Sequence, residues 1–328
     1  MKNILITGGL GYLGGRVADH LRRSAPGASI CLAARDEENK LPLWTSGFSV
    51  ARLDVRDRAS IAACLGARKF DVIIHLAAVN DIESLKDPRF ALEVNTAGTY
   101  GLLECAKEKG VERFIYLSTI HVYGPDLNGV ITEESQTRPV HPYALTHRAA
   151  EDFVNYFRHY HGMKTLIFRA SNGYGYPMDK GVDTWSLIFN GLCRQLVTEG
   201  KITLRSSGKQ RRDFIALGDM AEAVRHFLFS IPDNWGDGLY NLGSGRSISV
   251  LEAARTIELV YRKKYGRGPG ELSAAADKPG QPPAAAVDYR IDKILRAGFS
   301  PKGDMAWEIE KTLEVCEQFA AKGGTDAG

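Results

Sequence analysis

Short, wholly apolar runs alternate with longer stretches of helical spacing in the first half of the chain. The apolar runs predict strands over residues 3–7, 29–34, 49–53, 72–76 and 114–118. Helical spacing is found between them, over residues 12–24, 60–67 and 91–110. Strands that are apolar along their whole length and separated by helices indicate a parallel sheet covered on both faces. The pattern predicts an α/β chain with a doubly wound parallel sheet, whose ligands lie beyond the carboxyl ends of its strands.

The pattern loosens beyond about residue 172, where glycine, proline and polar residues become more frequent. Strand-like pieces and a helix follow, over residues 202–204, 239–242 and 250–265. Residues 266–283 are rich in glycine, proline and alanine and predict a surface loop, and residues 322–328 predict a frayed tail. We expect a first domain over residues 1–171 and a smaller mixed α/β domain over residues 172–328, some of whose segments return to the first.

A glycine-rich segment, GGLGYLG at residues 8–14, follows the first strand directly and opens the first helix. Without side chains, the backbone N–H groups of such a corner can approach a pyrophosphate, and the helix N-terminus adds a favourable partial charge. The context predicts a Rossmann-type dinucleotide-binding domain, although a tight turn alone would also explain the glycines. The residues predicted to bind the dinucleotide here are Gly8, Gly11, Tyr12, Leu13 and Gly14.

The end of the second strand, LAARD at residues 32–36, bears on the choice between NAD and NADP. An acidic residue there accepts a hydrogen bond from the ribose 2′-OH of NAD, whereas an arginine pairs with the 2′-phosphate of NADP. Arg35 favours NADP, while Asp36 leaves NAD open. We therefore expect NAD or NADP as the cofactor, with NADP preferred.

Composition excludes several other classes of protein. The net charge of +3 over 328 residues and the lack of a basic run give no reason to expect nucleic acid as a partner. The five cysteines are scattered and never form a CxxC pair, so we expect neither disulfides nor a metal site. The apolar run that opens the chain is too short for a signal peptide or a membrane span, so we expect a cytoplasmic protein that does not bind membranes.

Further motifs follow the glycine corner in a fixed order. In the first half they are DVxD at 54–57, HLAA at 75–78, Asn95, STxxVYG at 118–124 and PY at 142–143. In the second half they are RASNGYG at 169–175, RDFI at 212–215 and YNLGSG at 240–245. From about residue 3 to residue 301, this ordered set resembles the extended short-chain dehydrogenase/reductases of the NAD-dependent epimerase/dehydratase family, which act on nucleotide sugars.

The resemblance implies further contacts with the cofactor. Asp54 and Val55 would contact the adenine, residues 76–78 would pass beside the phosphates and the ribose, and Asn95 would brace the central helix. Plain packing would also explain each of these residues. The additional residues assigned to the cofactor in this way are Asp54, Val55, Leu76, Ala77, Ala78, Asn95, Tyr143 and His147.

The resemblance also implies the reacting groups. In the family, a tyrosine acts as acid or base toward a sugar hydroxyl or ketone, and a neighbouring Ser or Thr hydroxyl shares that oxygen. A lysine four residues after the tyrosine assists. Tyr143 and Thr119 match the first two positions, but His147 stands at the third. An unperturbed tyrosine ionises near pH 10, so its use as phenolate at neutral pH requires an offset of about three pKa units, or roughly 4 kcal/mol.

The histidine at position 147 leaves three alternatives. In the first alternative, His147 is a working replacement for the lysine. Positions i and i+4 share a helix face, so His147 points where the lysine would, and its reference pKa near 6.5 would make catalysis more pH-dependent. Alternatively, catalysis is weak and relies on the oxidised nicotinamide. In the third alternative, the chain is a degenerate member that binds dinucleotide without efficient turnover. Arg148 is one residue out of phase and makes a poor substitute.

Three residues are expected to contact the substrate. By resemblance, Asn172 and Arg212 hold the phosphates of the nucleotide sugar, and arginine suits a diphosphate because its planar fork pairs two oxygens at once. The 4,6-dehydratases of the family carry carboxylates where this chain has Ile120 and His121. Isoleucine neither donates nor accepts a proton, so the sequence disfavours a dehydratase. His121 is then a substrate contact or proton carrier, or a structural histidine.

The expected function is NAD(P)-dependent hydride transfer on a nucleotide-linked sugar, by an epimerase or by a reductase of a keto sugar. The alternatives are a reductase of a different alcohol or ketone and a module that binds dinucleotide without turnover. The segments 91–109 and 143–160 correspond to the helices that pair two subunits in the family, so the resemblance also implies a homodimer.

Overall fold

The computed structural model describes residues 2–35, 41–125, 127–266, 268, 270, 272–277 and 287–323. The strands are β1 (Asn3–Thr7), β2 (Ser29–Ala34), β3 (Ser49–Arg52), β4 (Val72–His75), β5 (Arg113–Thr119), β6 (Gly129–Ile131), β7 (Lys164–Ala170), β8 (Asn172–Tyr174), β9 (Ile202–Leu204), β10 (Arg211–Ala216), β11 (Leu239–Leu242), β12 (Ser247–Ser249), β13 (Leu272–Ala274) and β14 (Val287–Tyr289). The α-helices are α1 (Tyr12–Ser24), α2 (Arg58–Ala67), α3 (Asp81–Lys86), α4 (Pro88–Ala91), α5 (Thr99–Glu108), α6 (Pro142–His161), α7 (Ile188–Glu199), α8 (Leu217–Arg225), α9 (Val250–Tyr265), α10 (Asp292–Arg296) and α11 (Met305–Gly323). Shorter 3₁₀ turns cover Leu43–Thr45 and Ile120–Tyr123, and π-helical turns cover Leu92–Gly98 and His226–Ser230.

Within the described residues, seven parallel strands form one sheet in the order β11-β7-β5-β4-β1-β2-β3. All four residues of β4 are buried, and β1 is buried after its first residue, as expected for a sheet covered on both faces. The strand order reverses between β1 and β4, and such a sheet binds its ligands at the carboxyl edge of this switch point. The predicted doubly wound Rossmann-type fold is confirmed.

Most of the predicted elements agree with the structure. β1, β2, β9, β11, α1 and α9 have the predicted bounds. The helix predicted over residues 91–110 is present up to Glu108, but it was predicted without the π-helical turn at Leu92–Gly98, which lies between α4 and α5. The sequence analysis missed β7, whose central apolar run of three residues is flanked by the polar residues Lys164, Thr165 and Arg169.

The chain divides into two compact units, each with its own hydrophobic core. The first unit consists of Met1–Asp126, Glu133–Ala170 and Met220–Leu242, and the second of Leu127–Thr132, Ser171–Asp219 and Gly243–Gly328. The first unit contains the seven-stranded sheet, including β11, and its core contains apolar side chains of α2, α5 and α6. That residues 1–171 bind the dinucleotide and residues 172–328 mainly bind substrate remains a prediction.

The second unit consists of small sheets and packed helices. Its strands pair in the orders β12-β10-β8, β13-β9 and β14-β6, and α7, α9 and α11 surround its core. The surface loop predicted over residues 266–283 is corrected at Leu272–Ala274, which form β13 parallel to β9. Helix α11 continues to Gly323, where a tail was predicted, and residues 324–328 lie outside the described part of the chain.

Candidate active site

The close approach of two strand ends explains the glycines of the corner between β1 and α1. Gly8 has a φ of 66°, and a Cβ atom at this residue would lie 2.9 Å from the Ala77 nitrogen. A Cβ atom at Gly14 would lie 2.1 Å from the Gly8 carbonyl oxygen, so a side chain is excluded there too. Helix α1 begins at Tyr12 without a side-chain cap. The corner therefore presents bare backbone and the positive end of a helix dipole, which suit a pyrophosphate.

A cleft of about 560 Å³ opens at the carboxyl ends of β1, β2, β3 and β4. Of the predicted cofactor residues, those that line it are Gly8, Gly11, Arg35, Asp54, Val55, Ala77 and Ala78. Four other predicted residues, Tyr12, Leu13, Gly14 and Leu76, do not line the cleft, although Tyr12 follows Gly11 and Leu76 precedes Ala77 in the chain. The sequence analysis missed lining residues such as Leu53, Val79, Asn80, Phe90 and Val94, which belong to no motif. The volume, the bare glycine corner and the place at the switch point together fit a dinucleotide.

Two charged residues, Arg35 and Asp54, form one edge of the cleft after β2 and β3. The Asp54 carboxylate accepts hydrogen bonds from the backbone nitrogen and from Nε of Arg56, each at 3.0 Å. The hydrogen bond from the Arg56 side chain lowers the pKa of Asp54, and Arg35 contributes electrostatically in the same direction. Asp54 is therefore ionised and already paired, whereas the Arg35 side chain is exposed. Asp36 lies outside the described residues.

The histidine of the HLAA motif is a neutral structural residue. Thr7 donates its hydroxyl proton to Nδ1 of His75 at 2.6 Å, because its oxygen already accepts the N–H groups of Leu76 at 3.2 Å and Ala77 at 3.3 Å. On the other side, Thr99 donates to the Asn95 carbonyl at 2.6 Å, so its oxygen accepts Nε2–H of His75 at 2.9 Å. Burial lowers the pKa of His75 to about 3. The network fixes the end of β4, from which the cleft-lining residues follow.

The π-helical turn carries Asn95, which is 1% exposed. Its Oδ1 accepts the Val79 N–H at 2.7 Å, and its Nδ2 donates to the Thr146 hydroxyl at 3.0 Å. Asn95 thus joins the loop after β4 to helix α6 and does not line the cleft. The bracing contact that we expected is present, while direct contact with the cofactor stays a prediction.

The two hydroxyl groups that the sequence paired lie together in the structure. Tyr143 is the second residue of α6, and Nδ1 of His141 accepts its N–H at 3.2 Å to cap the helix. The phenol lies near enough to Thr119, at the carboxyl end of β5, for that hydroxyl group to influence its pKa. Burial raises the pKa of Tyr143 to about 12, with the Asp81 carboxylate acting in the same direction and Thr119 in the opposite one. The phenol is therefore protonated at neutral pH.

One turn further along α6, His147 is 2% exposed, and its ring centroid lies 4.2 Å from that of Tyr143. Its Nδ1 lies 2.9 Å from the Tyr143 carbonyl oxygen. A carbonyl only accepts, so Nδ1 carries the proton and Nε2 of the neutral ring is an acceptor. Burial lowers the pKa of His147 to about 4, opposed by the hydrogen bond to the carbonyl and assisted by the charge of His121. His147 therefore titrates well below the pH range in which we expected it.

A smaller pocket of about 190 Å³ adjoins Tyr143. Its lining residues are Asp81, His121, Gly124, Pro125, Val140, His141, Tyr143 and Ala144. Asn80 lines the cleft and its neighbour in the chain, Asp81, lines the pocket. The sequence analysis predicted His121 as a site residue but missed Asp81 and His141. Both resemble ordinary helix-start residues in the sequence, and nothing there distinguishes them.

A buried ion pair supports the helix and the strand that carry the two hydroxyl groups. Glu151, two turns after Tyr143 on α6, pairs with Arg169 of β7 at 2.7 Å, and both side chains are almost fully buried. Ser118 of β5 donates to the Glu151 carboxylate at 2.5 Å, and Arg169 donates to the Tyr123 hydroxyl at 3.0 Å. No local sequence pattern indicates this network, because its members are far apart in the chain.

In the second unit, the two predicted phosphate-binding residues lie on neighbouring parallel strands, Asn172 on β8 and Arg212 on β10. Nδ2 of Asn172 donates to the Asp213 carbonyl at 2.8 Å, and the Arg212 side chain is exposed. The sequence analysis missed Asp213, which is fully buried. Its carboxylate accepts hydrogen bonds from Ser171 Oγ at 2.5 Å and from the Ser244 nitrogen at 2.8 Å, and so fixes the glycine-rich loop after β11.

Among the residues that the structure describes, no group of three or more His, Cys, Asp or Glu side chains is placed to hold a metal ion. None of the helices in this part of the chain is both long enough and apolar enough to span a membrane.

The fold and the glycine corner define a dinucleotide-binding α/β protein, and comparison with known proteins places it in a family. Residues 4–243 match the model of the NAD dependent epimerase/dehydratase family. The chain therefore belongs to that family, as the ordered motifs predicted.

Known relatives include two different kinds of enzyme. The chain is 30% identical to dTDP-D-glucose 4,6-dehydratase of Mus musculus, over 95% of this chain and 88% of that protein. It is 26% identical to a putative UDP-glucose 4-epimerase of Methanocaldococcus jannaschii, over 94% of this chain and 97% of that protein. Among solved structures, it is similar to Thermus thermophilus UDP-glucose 4-epimerase in complex with NAD, with a TM-score of 0.77, 25% identity, and coverage of 96% of this chain and 99% of that one.

Proposed function

We propose that the protein is an NAD(P)-dependent oxidoreductase or epimerase that acts on a nucleotide-linked sugar, with Tyr143 as the acid/base residue. One observation carries the proposal: the Tyr143 phenol, whose pKa Thr119 influences, lines a pocket, and consecutive residues, Asn80 and Asp81, line the cleft at the glycine corner and this pocket. The arrangement supports a role for Tyr143 as the group that exchanges a proton with a ligand bound in the cleft. Hydride transfer is the chemistry that a nicotinamide dinucleotide supplies when bound.

The chain's own residues bind, orient and move a proton. The corner at Gly8 and Gly11 receives the pyrophosphate, and Arg35 and Asp54 bind the adenosine end of the cofactor. Thr119 shares the reacting oxygen with Tyr143, as a preorganised hydrogen-bond donor does in other enzymes. The proton moves between the Tyr143 phenol and the oxygen of the sugar.

The substrate class rests on the second unit and on the relatives. Asn172 and Arg212 belong to one small sheet, and the exposed guanidinium of Arg212 suits a diphosphate. The curated relatives are named for dTDP-linked and UDP-linked glucose, and this chain aligns with about nine tenths or more of their length. A nucleotide sugar therefore fits better than a sterol or another simple alcohol.

We propose that the reaction is not 4,6-dehydration. Elimination of water needs proton donors and acceptors beside the reacting carbons, and Ile120 is neither, besides being 1% exposed. The identity to the mouse dehydratase favours the opposite assignment, and Asp81, His121 and His141 are acid/base groups in the pocket. Incubation with dTDP-glucose and UDP-glucose decides between the two, because only a dehydratase releases a 6-deoxy-4-keto product.

A thermal-shift panel tests the proposal. We expect NAD(H) or NADP(H) to raise the unfolding temperature, and a nucleotide sugar to raise it further, because ligands that bind only the native state stabilise it. Dinucleotide binding without any turnover of nucleotide sugars would identify a degenerate member of the family. No shift with any dinucleotide would contradict the proposal as a whole.

A further inference from the structure

The surroundings of Tyr143 are unusual for a residue that has to act as a base. The titratable groups that face Tyr143 or His147 are Asp81 of α3, His121 of the 3₁₀ turn after β5, His141 before α6, His75 of β4 and Tyr116 of β5. They include one carboxylate, and no lysine or arginine lines the pocket among the described residues. A negative neighbour favours the neutral phenol over the phenolate.

Neither candidate on α6 supplies the missing positive charge. His147 donates Nδ1–H to the Tyr143 carbonyl, so the buried ring is neutral. Arg148 turns away, because its guanidinium pairs with Asp152 at 2.5 Å and donates to the Thr137 hydroxyl at 3.1 Å. The i+4 position therefore carries a hydrogen-bonding group without a charge.

We propose that this site is built to reduce a keto group on a nucleotide-linked sugar, with Tyr143 as the proton donor and His147 as a neutral positioning residue. The inference rests on the proposed function above. The carbonyl carbon accepts a hydride, with its two electrons, from a reduced nicotinamide dinucleotide, and the C=O π bond breaks. The oxygen takes the proton of Tyr143, and solvent then returns a proton to the phenolate.

The reverse reaction, in which a sugar hydroxyl is oxidised, lacks a base at neutral pH. Oxidation of a sugar hydroxyl requires Tyr143 as phenolate, and an epimerase has to begin with that step. With the Asp81 carboxylate nearby and neither lysine nor arginine among the described residues that line the pocket, the phenolate is disfavoured and forms only at high pH. The protonated phenol, in contrast, is ready to serve reduction throughout the physiological range.

The geometry also defines what His147 does. No hydrogen-bond partner of its Nε2 is found among the described residues, and Nδ1 is held by the helix carbonyl. Nε2 is therefore available to accept a hydrogen bond from a ligand hydroxyl. A lysine ammonium would instead donate hydrogen bonds and attract the phenolate.

Titration of the Tyr143 phenol tests the charge environment without any ligand. The ultraviolet difference between wild type and Tyr143→Phe reports this phenol alone among 13 tyrosines. We expect ionisation only above about pH 10 in wild type, and two to three pH units lower in His147→Lys, because an ammonium lies roughly 4 Å away in a medium of intermediate dielectric constant. Ionisation of the wild-type phenol near pH 7 would overturn the inference.

The rates of keto-sugar reduction and of the reverse oxidation test the proposed reaction. The probes are dTDP-linked and UDP-linked 4-keto sugars with NADPH or NADH, and the reduced sugars with the oxidised cofactors, from about pH 6 to 10 around the reference value of tyrosine. We expect reduction to be nearly independent of pH and oxidation to rise about tenfold per pH unit. His147→Lys should raise oxidation at pH 7 by roughly 10²–10³-fold.

Two further variants provide a control and an independent test. His159→Lys makes the same substitution at an exposed position of the same helix and should leave both profiles unchanged. Asp81→Asn, at the exposed start of α3, should raise oxidation at neutral pH severalfold even if His147→Lys does not fold. Wild-type oxidation that is fast and flat with pH would refute the reductase inference alone. Turnover in neither direction, without dinucleotide binding, would refute the proposed function itself.

Discussion

At the scale of single residues, the geometry of the glycine corner predicts how a substitution there changes cofactor binding. Gly8→Ala places a Cβ atom 2.9 Å from the Ala77 nitrogen at a φ of 66°, so the corner has to move away from the β4 end. We expect the dinucleotide Kd to rise at least about tenfold, which corresponds to about 1.4 kcal/mol. Gly27→Ala is the matched control, because a Cβ atom there meets nothing within 4 Å. Equal affinities of the two variants, measured by calorimetry, would contradict a binding function for the corner.

The choice between NADP and NAD is also decided by single residues. Arg35 lines the cleft with an exposed guanidinium, which suits a 2′-phosphate. We propose NADP as the preferred cofactor and expect Arg35→Asp to weaken NADPH binding about tenfold or more while NADH binding holds or improves. The control is Arg52→Asp, an exposed arginine at the end of β3 that does not line the cleft. Unchanged selectivity in Arg35→Asp would show that the preference lies elsewhere.

At the scale of elements, the π-helical turn acts as a joint between the end of β4 and α6. Asn95→Ala removes the acceptor of the Val79 N–H and the donor to Thr146, and leaves buried polar groups without partners. We expect unfolding free energy to fall by about 2–4 kcal/mol. Asn234→Ala, at an exposed turn, should change it by less than about 0.5 kcal/mol. Urea denaturation measures both, and a small loss in Asn95→Ala would show that α6 does not depend on this joint.

Element prediction succeeded where local pattern and backbone sterics agree. β1 and α1 have the predicted bounds because the apolar run of β1 leads directly into the glycine motif, which marks the turn and the start of the helix within one short stretch of sequence. The helix over residues 91–110 was predicted without its π-helical turn, because that turn accommodates Asn95 and Thr96, whose partners lie on α6. Strand β7 was missed for a similar reason. An arginine in the sequence is expected at the surface, and only the structure shows that Arg169 is buried against Glu151.

At the scale of the whole molecule, two neutral buried histidines make stability depend on pH. Burial lowers the pKa of His75 to about 3 and that of His147 to about 4, whereas both rise to about 6.5 in the unfolded chain. The unfolded state therefore binds more protons below pH 6.5. The contribution of the two neutral histidines to the unfolding free energy is complete above that value and is lost as pH falls. The expected loss is about 1.4 kcal/mol per pH unit for each histidine down to its folded pKa.

Denaturant unfolding between about pH 7 and 4.5, below the reference value of histidine, measures this slope. His147→Gln should remove close to half of the histidine contribution, because glutamine does not titrate. His159→Gln, at an exposed site, should leave the slope unchanged. A wild-type slope that does not exceed that of His147→Gln would contradict the assignment of His147 as a buried neutral ring.

Association of two subunits also belongs to this scale, and we propose a homodimer through α5 and α6. Three aromatic residues on α6 are partly or largely exposed: Phe153 at 37%, Tyr156 at 40% and Tyr160 at 72%. Adjacent apolar side chains in contact with water favour burial against a second copy. We expect Tyr156→Glu to dissociate the dimer in sedimentation experiments, and Leu43→Glu, at a 97% exposed site, to leave it intact. A wild-type monomer would contradict the proposal.

The sequence by itself determined the sheet, the glycine corner and the family. Those features follow from short-range periodicity, from the lack of room for a Cβ atom, and from motifs that keep their order along the chain. Only the tertiary structure decided that His147 is neutral and that a carboxylate faces the phenol. Protonation depends on desolvation and on charges from other elements, such as Asp81 of α3 against Tyr143 of α6. Such distant groups come together only when the chain folds, so no local pattern records their effect.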